Sequence, residues 1–222
     1  MKDNISAFNA TEYDGKIKCT IPYYEEFYRQ VIDVVRNYSS EELTWLDVGC
    51  GTGKMAREAF HELNIRKFVF CDSSEEMIKS TKQEFASQNA EFLISDIQEL
   101  NYTDAFDVVT AIQVNHYLPG KKRAKAYAKC HKALKPGGIF INFENFEPQD
   151  SACEDLYLKR WKEYQRRQGK SEEECEEHRS RYKREYFPIP VTEQQRLMKE
   201  CGFRSAELLW LSYMQAGILG IK

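Results

Sequence analysis

Leu46-Asp47-Val48-Gly49-Cys50-Gly51-Thr52-Gly53 is the stretch on which the fold turns. A short apolar run, Trp45-Leu46-Asp47-Val48, enters three glycines at alternate positions and then a helical pattern at Met55, Ala56, Ala59, Phe60 and Leu63. Glycine permits the backbone angles of a tight turn and lets the main chain approach a ligand. A dinucleotide-type phosphate turn needs a third glycine where Lys54 stands, so that fingerprint fails.

The same alternation runs outward from this turn. Lys67–Cys71 reads as a second strand ending at Asp72, and Ser73 with Glu76 reads as a capping box opening a helix. Glu91–Ile94 and Phe106–Ile112 are the next strands. A Lys-rich helix from about Pro119 to Leu134 stops at Lys135-Pro136-Gly137-Gly138, and Ile139–Phe143 follows as a fifth strand. Upstream, Pro22 opens a helix with apolar positions from Tyr24 to Tyr38. Regular alternation of this kind belongs to a parallel α/β sheet.

The two ends break the pattern. Residues 1–20 have little periodicity and are expected to form a mobile arm. Residues 150–186 carry dense, nearly balanced charge and two helix-like stretches, packed by Leu156, Trp161, Tyr164 and Tyr182; they read as a helical insert or cap. Thr192 with Gln195 suggests a further capping box. Ala206–Leu211 and Met214–Ile221 close the chain as a hairpin. One domain is expected over 1–222, with the arm and the insert as its additions.

Composition narrows the function. Of 222 residues, 32 are Lys or Arg and 35 Asp or Glu, a net charge of -3, which makes nucleic acid an unlikely partner. The Lys121-Lys122-Arg123 cluster with Lys125 and Lys129 reads as a solvated helix face. Apolar residues at 42% and aromatics at 13% exclude disorder. No run suits a membrane span and no secretory leader is visible. Seven cysteines without a C-x-x-C spacing point to free thiols, no metal site and a cytoplasmic setting.

Three successive strand ends thus offer a glycine turn, Asp72 and Asp96, with Ile97 beside the last. Ligands of open parallel sheets bind at such ends, and a carboxylate there accepts bonds from ribose hydroxyls. Either Asp by itself reads equally well as a helix cap. On these residues, with Ser95-Asp96-Ile97, Phe106–Leu118 and Leu134–Gly138, the chain resembles the class I S-adenosylmethionine-dependent methyltransferases over roughly residues 40–145. The resemblance implies a seven-stranded, mostly parallel Rossmann-like sheet with its last strand antiparallel. It also implies S-adenosylmethionine as cofactor. The turn of Gly49, Cys50 and Gly51 would hold its methionine part and Asp72 both ribose hydroxyls, with Gly53 and Ser73 as further cofactor-binding residues. Asp96 and Ile97 would hold adenine, and Asp47 is the acidic residue usual in the first motif.

A looser likeness reaches further. Ile21-Pro22-Tyr23-Tyr24, Phe143-Glu144, His178-Arg179-Ser180 and Cys201-Gly202-Phe203 look like the branch containing the carboxy-S-adenosylmethionine synthases of tRNA wobble-uridine modification. That likeness implies Tyr24 as a cofactor contact. It implies Arg179 as the partner of the added carboxylate, reached across a homodimer. Ala111, where the synthases carry a cofactor-contacting Asn, and the glycine-rich Gly51-Thr52-Gly53 depart from the branch. These departures favour an ordinary methyltransferase of the same build, with Arg179 in acceptor binding. His116, after the fourth strand, is the candidate general base, or else a structural or orienting residue. Tyr13, Tyr23 and Tyr24 are candidates to close over the site. The expected activity is methyl transfer to a small-molecule acceptor. A carboxy-S-adenosylmethionine synthase and a non-catalytic cofactor-binding protein are the rivals.

Overall fold

The computed structural model describes residues 10–39 and 41–222, with side chains from Gly15 onward. The start of the expected arm and the Tyr13 side chain lie outside the described residues. Residues 10–20 form helix α1 (Ala10–Thr20), which the weak periodicity of this stretch did not announce. The reason is non-local. Ile17 is buried, and the carbonyls of Lys18 and Thr20 at the helix end are taken by Tyr164 Oη at 2.8 Å and Trp161 Nε1 at 2.7 Å. Helix ends leave carbonyls without partners inside the helix, and here the insert supplies them.

The chain continues through α2 (Tyr24–Tyr38), β1 (Leu43–Val48), α3 (Lys54–Glu62), β2 (Ile65–Asp72), α4 (Glu75–Phe85), β3 (Ala90–Ile94) and β4 (Phe106–Ile112). Then come α5 (Lys121–Ala133), β5 (Leu134–Asn145), α6 (Glu154–Arg167), α7 (Glu172–Ser180), α8 (Val191–Glu200), β6 (Ser205–Ser212) and β7 (Gln215–Ile221). One seven-stranded sheet runs β3-β2-β1-β4-β5-β7-β6. β1 to β5 pair in parallel, whereas β7 is antiparallel to both of its neighbours. That is the expected α/β, Rossmann-like architecture with the last strand reversed. β5 begins at Leu134, earlier than the sequence suggests, because Leu134 already pairs with Phe106 before a register shift.

Apolar cores cover both faces, as a parallel sheet requires. Phe27, Trp45, Phe68, Phe70 and Phe143 pack under α2 and α3. Leu46, Val69, Tyr127, Phe140 and Met198 pack under α5 and α8. Successive residues of β1 alternate between the two cores.

Three local expectations shift. The α4 cap is Ser74, fully buried and accepting from Met77 N at 3.1 Å, one residue later than expected. α8 starts after Pro190 without a side-chain cap, and Gln195 instead donates to Ala206 O at 2.9 Å. Leu156 is exposed, and Leu158 takes its place in the insert's apolar cluster with Trp161, Tyr186 and Met214. The insert itself is helical, as α6 and α7. Ser171 and Glu174 cap α7 reciprocally. Among the described residues no helix is long and apolar enough to cross a membrane, and all seven cysteines are free.

Candidate functional site

The sheet order reverses direction between β1 and β4, and the open cleft of such sheets lies at the carboxyl ends of those strands. A cleft of about 760 Å³, open to solvent, is found there. Its walls come from the ends of four strands: Val48, Gly49 and Gly51 after β1, Asp72 and Ser73 after β2, Ser95, Asp96 and Ile97 after β3, and Ile112 to Val114 after β4. Met77, Tyr117 and Leu118 complete it. A second cavity of about 320 Å³ lies behind the glycine turn, lined by Tyr24, Tyr28, Asp47, Cys50 and Lys54 among others. The two share Gly49, Gly51 and Ile112, so they adjoin on either side of the turn.

The turn is held by its neighbours. Gly49 N and Cys50 N both donate to Cys71 O, at 2.7 and 3.1 Å, and Gly51 N donates to Asp72 Oδ2 at 3.0 Å. Gly49 has φ +65°, and a Cβ there would lie 2.3 Å from Val114 Cγ2, so only glycine fits. Gly51 also has a positive φ, but a Cβ there would meet nothing within 4 Å; its bare face opens to the cavities. Gly53 packs instead against Phe85, as the N-cap of α3.

Asp72 carries two roles. Its carboxylate accepts Gly51 N and, at 2.9 Å, Ser74 N, which pins the oxygens at the cleft wall. Asp96 caps the turn at Ile97–Glu99 by accepting Gln98 N at 2.8 Å, and it too lines the cleft. Asp96 thus caps a turn and lines the cleft at once, while Asp72 lines it without capping α4, whose cap is Ser74.

Asp47 is buried at 3% exposure in the smaller cavity. Burial pushes its carboxyl up to about 7; Thr110 opposes the shift and the nearby Asp72 charge adds to it. Thr110 Oγ1 donates to Asp47 Oδ1 at 2.7 Å and is itself approached by Trp45 Nε1 at 2.9 Å. Burial also pushes the Cys50 thiol well up, so this cysteine is an inert wall rather than a nucleophile. Tyr24, buried, meets Tyr28 hydroxyl to hydroxyl at 2.6 Å.

His116 and Arg179 are not brought to the cleft. His116 is 2% exposed, its Nδ1 is 2.5 Å from Glu144 Oε2, and its ring lies against Tyr117. Glu144, also buried, gathers the N–H groups of Val114, Asn115 and His116 as well. The pair thus fixes the loop after β4. Arg179 lies on the exposed end of α7, 3.9 Å from Asp155. Tyr23 is also exposed, against Trp210 and Tyr213.

Sequence reasoning missed Gln113, a cleft residue with φ +61° whose buried Oε1 has no hydrogen-bond partner. It also missed the role of Arg123. That residue is buried and donates to Asn115 O at 3.0 Å and to Phe187 O, so it braces the same loop and is no part of a solvated face. Lys125 does stay on the surface, paired with Glu99 at 2.8 Å.

Residues 46–138 match the methyltransferase-domain family model. The matched segment holds the glycine turn, Asp72, Asp96 and the loop after β4. A carboxy-S-adenosyl-L-methionine synthase of Nautilia profundicola is 25% identical over 203 residues, covering 90% of this chain and 86% of the relative. The synthase of Aliivibrio salmonicida is 23% identical, covering 96% of this chain and 90% of the relative. An S-adenosylmethionine-dependent methyltransferase from Aquifex aeolicus shares the fold, with a TM-score of 0.64 at 15% identity over 96% of this chain and 98% of that one. The chain therefore resembles class I S-adenosylmethionine-dependent methyltransferases in its domain and the synthase branch along nearly its whole length.

Proposed function

We propose that the protein is an S-adenosylmethionine-dependent methyltransferase acting on a small-molecule acceptor. The observation that carries this reading is the convergence of Gly51, Asp72, Asp96 and Ile97 on one cleft. Asp72 offers carboxylate oxygens for the ribose hydroxyls, with Ser73 beside it. Asp96 and the Ile97 main chain suit adenine, and the space beside Gly49, Cys50 and Gly51, toward Tyr24 and Asp47, suits the methionine part. When bound, this cofactor supplies an electrophilic methyl group. The chain's own contribution is alignment and exclusion of water around an in-line displacement.

His116 is a positioning residue in this reading, because its ring is committed to Glu144 and stands outside the cleft wall. The two together orient Val114 and Tyr117. The helical insert forms a cap joined to α1, within a single domain. Free thiols throughout favour a reducing compartment such as the cytoplasm.

The whole-chain likeness favours one second reading, a carboxy-S-adenosylmethionine synthase. Arg179 would serve it only across a subunit interface, since it is exposed on its own chain. Mass spectrometry of ligand released by denaturing the freshly purified protein separates the two. S-adenosylmethionine or S-adenosylhomocysteine is expected. A cofactor heavier by one carboxylate favours the synthase, and light scattering then shows whether the homodimer it needs exists.

A further inference from the structure

Gln113 is held against two ordinary preferences of a protein chain. Its φ of +61° lies in the left-handed region, which residues other than glycine adopt at a cost. The residue is 8% exposed, and its Oε1 is buried without a hydrogen-bond partner. A buried amide oxygen in that state has left water and gained nothing in return. Both costs fall on one residue of the cleft wall, which marks a position kept for a ligand.

The amide is not free to turn over. Its Nε2 donates to Gln215 Oε1 at 2.9 Å and to Phe143 O at 3.4 Å, so two acceptors hold the nitrogen. Gln215 is buried and oriented in turn, because its Nε2 donates to Asn145 Oδ1. Asn145 Nδ2 lies 3.5 Å from His116 Nε2, and His116 Nδ1 is 2.5 Å from Glu144 Oε2.

The last pair sets the direction of the whole chain. Glu144 already receives the N–H groups of Val114, Asn115 and His116, so it is the acceptor and His116 Nδ1 the donor. With Nδ1 donating, Nε2 is the lone-pair end of the neutral ring, and it receives the Asn145 amide. Each amide hands the same polarity to the next. Gln113 ends the series with its nitrogen spent on the sheet and its oxygen left for the cleft it lines. Ile112, Val114, Tyr117 and Leu118 belong to the same wall, so this acceptor stands among mainly apolar surfaces.

We propose that Gln113 Oε1 accepts a hydrogen bond from an O–H or N–H of the methyl acceptor, with Gln215, Asn145 and His116 as the positioning residues that fix its orientation. The inference rests on the methyltransferase reading above and gives it a substrate class, an apolar molecule bearing a hydroxyl or an amine. Gln113 binds that group and takes no proton from it, since an amide oxygen is not a base.

The test uses protein saturated with S-adenosylhomocysteine, which precludes turnover, and two probes of similar size. Phenol carries the O–H and fluorobenzene lacks it. Dissociation constants from nuclear magnetic resonance titration are expected to favour phenol by about 3- to 10-fold, the range for a net neutral hydrogen bond. In Gln113→Met, which keeps the length and offers no amide oxygen, the ratio should fall to about 1. Gln113→Asn, which tolerates a positive φ but is one carbon shorter, should give the same result. Gln215→Leu leaves Gln113 in place and frees its amide to turn, so the ratio should fall there too; a packing role alone would weaken both probes alike. Retained S-adenosylhomocysteine binding certifies the fold of each variant. Equal affinity for the two probes in wild type, or no binding of either, overturns the inference, as does a phenol preference that survives both Gln113 variants. A ratio unchanged in Gln215→Leu removes the positioning role. A wild-type protein that takes up no S-adenosylhomocysteine removes the cofactor reading itself, and the inference with it.

Discussion

The ends of β1 to β4 and the helical insert of α6 and α7 are built on opposite principles. At the strand ends each functional side chain is fixed by residues close in the sheet. Asp72 is held by the N–H groups of Gly51 and Ser74, and Asp96 by that of Gln98. In the insert the deciding contacts are distant in sequence. Trp161 and Tyr164 complete the end of α1, and just past the insert Phe187 N donates to His116 O at 2.6 Å. The first region presents its side chains on a rigid frame, whereas the second, with the segment that follows it, joins α1 to the loop after β4. Substitutions in the first should therefore alter ligand affinity, and in the second stability.

The sharpest way to break that contrast is at Asp72. Asp72→Ala removes the proposed ribose acceptor, and S-adenosylhomocysteine affinity is expected to fall by at least about 100-fold, some 3 kcal/mol or more. Titration calorimetry on the folded variant, checked by circular dichroism, measures it. Wild-type affinity would remove the ribose assignment.

Asp47 is the next largest effect and runs through pH. Its folded value of about 7 lies above the ordinary 3.8. Between those values the native state binds the proton more tightly than the unfolded chain, so this group's contribution to stability declines as pH rises through that window. Asp47→Asn keeps an acceptor for Thr110 and cannot ionise. It should be more stable than wild type at pH 8 by about 2–4 kcal/mol, shrinking toward zero near pH 4. Urea unfolding at both pH values checks this. An equal difference at both would show that desolvation of the charge is not the cause.

The same contrast explains what was legible in the sequence. The sheet, its order of helices and strands, and the residues of the cleft follow from local signals: an apolar run, a glycine turn, an acid at a strand end. The site residues left undetected are those whose meaning is tertiary. Gln113 looks like any polar residue after a strand until φ +61° and a buried, unpaired Oε1 place it in the cleft. Arg123 sits in a basic run and gives no sign that its guanidinium reaches the carbonyl of Phe187. α1 lacks a strong apolar stripe, so its order depends on Ile17 and on the insert's side chains. Ser73 and Ser74 are both plausible caps, and only the backbone decides between them.

Trp161 tests the insert side directly. Trp161→Phe keeps a ring against Leu158 and Tyr186 but deletes the donor to Thr20 O. The carbonyl keeps only the long 3.5 Å bond from Gln165 Nε2, and a lost buried hydrogen bond costs about 1 kcal/mol, so denaturant unfolding should shift by about that amount. Affinity for S-adenosylhomocysteine should not move. A loss of affinity larger than the loss of stability would mean that the insert shapes the cofactor site and the two regions are not separable.

Arg179 carries the smallest expected effect and the most pointed comparison. Its side chain is 44% exposed and its ion pair with Asp155 is long, at 3.9 Å. Exposed pairs of this kind contribute about 0–1 kcal/mol, so Arg179→Ala should unfold within about 0.5 kcal/mol of wild type. Cofactor affinity should be unchanged, because no wall of either cavity includes this residue. Under acceptor binding, only the Michaelis constant for a methyl acceptor should rise. If Arg179 instead serves a partner subunit's carboxylated cofactor, the variant purified from cells should lose that ligand from its mass spectrum while folding normally. A change in retained ligand with no change in stability would move the function from methyl transfer toward the synthase and would place a residue of the insert in the active site of a second copy.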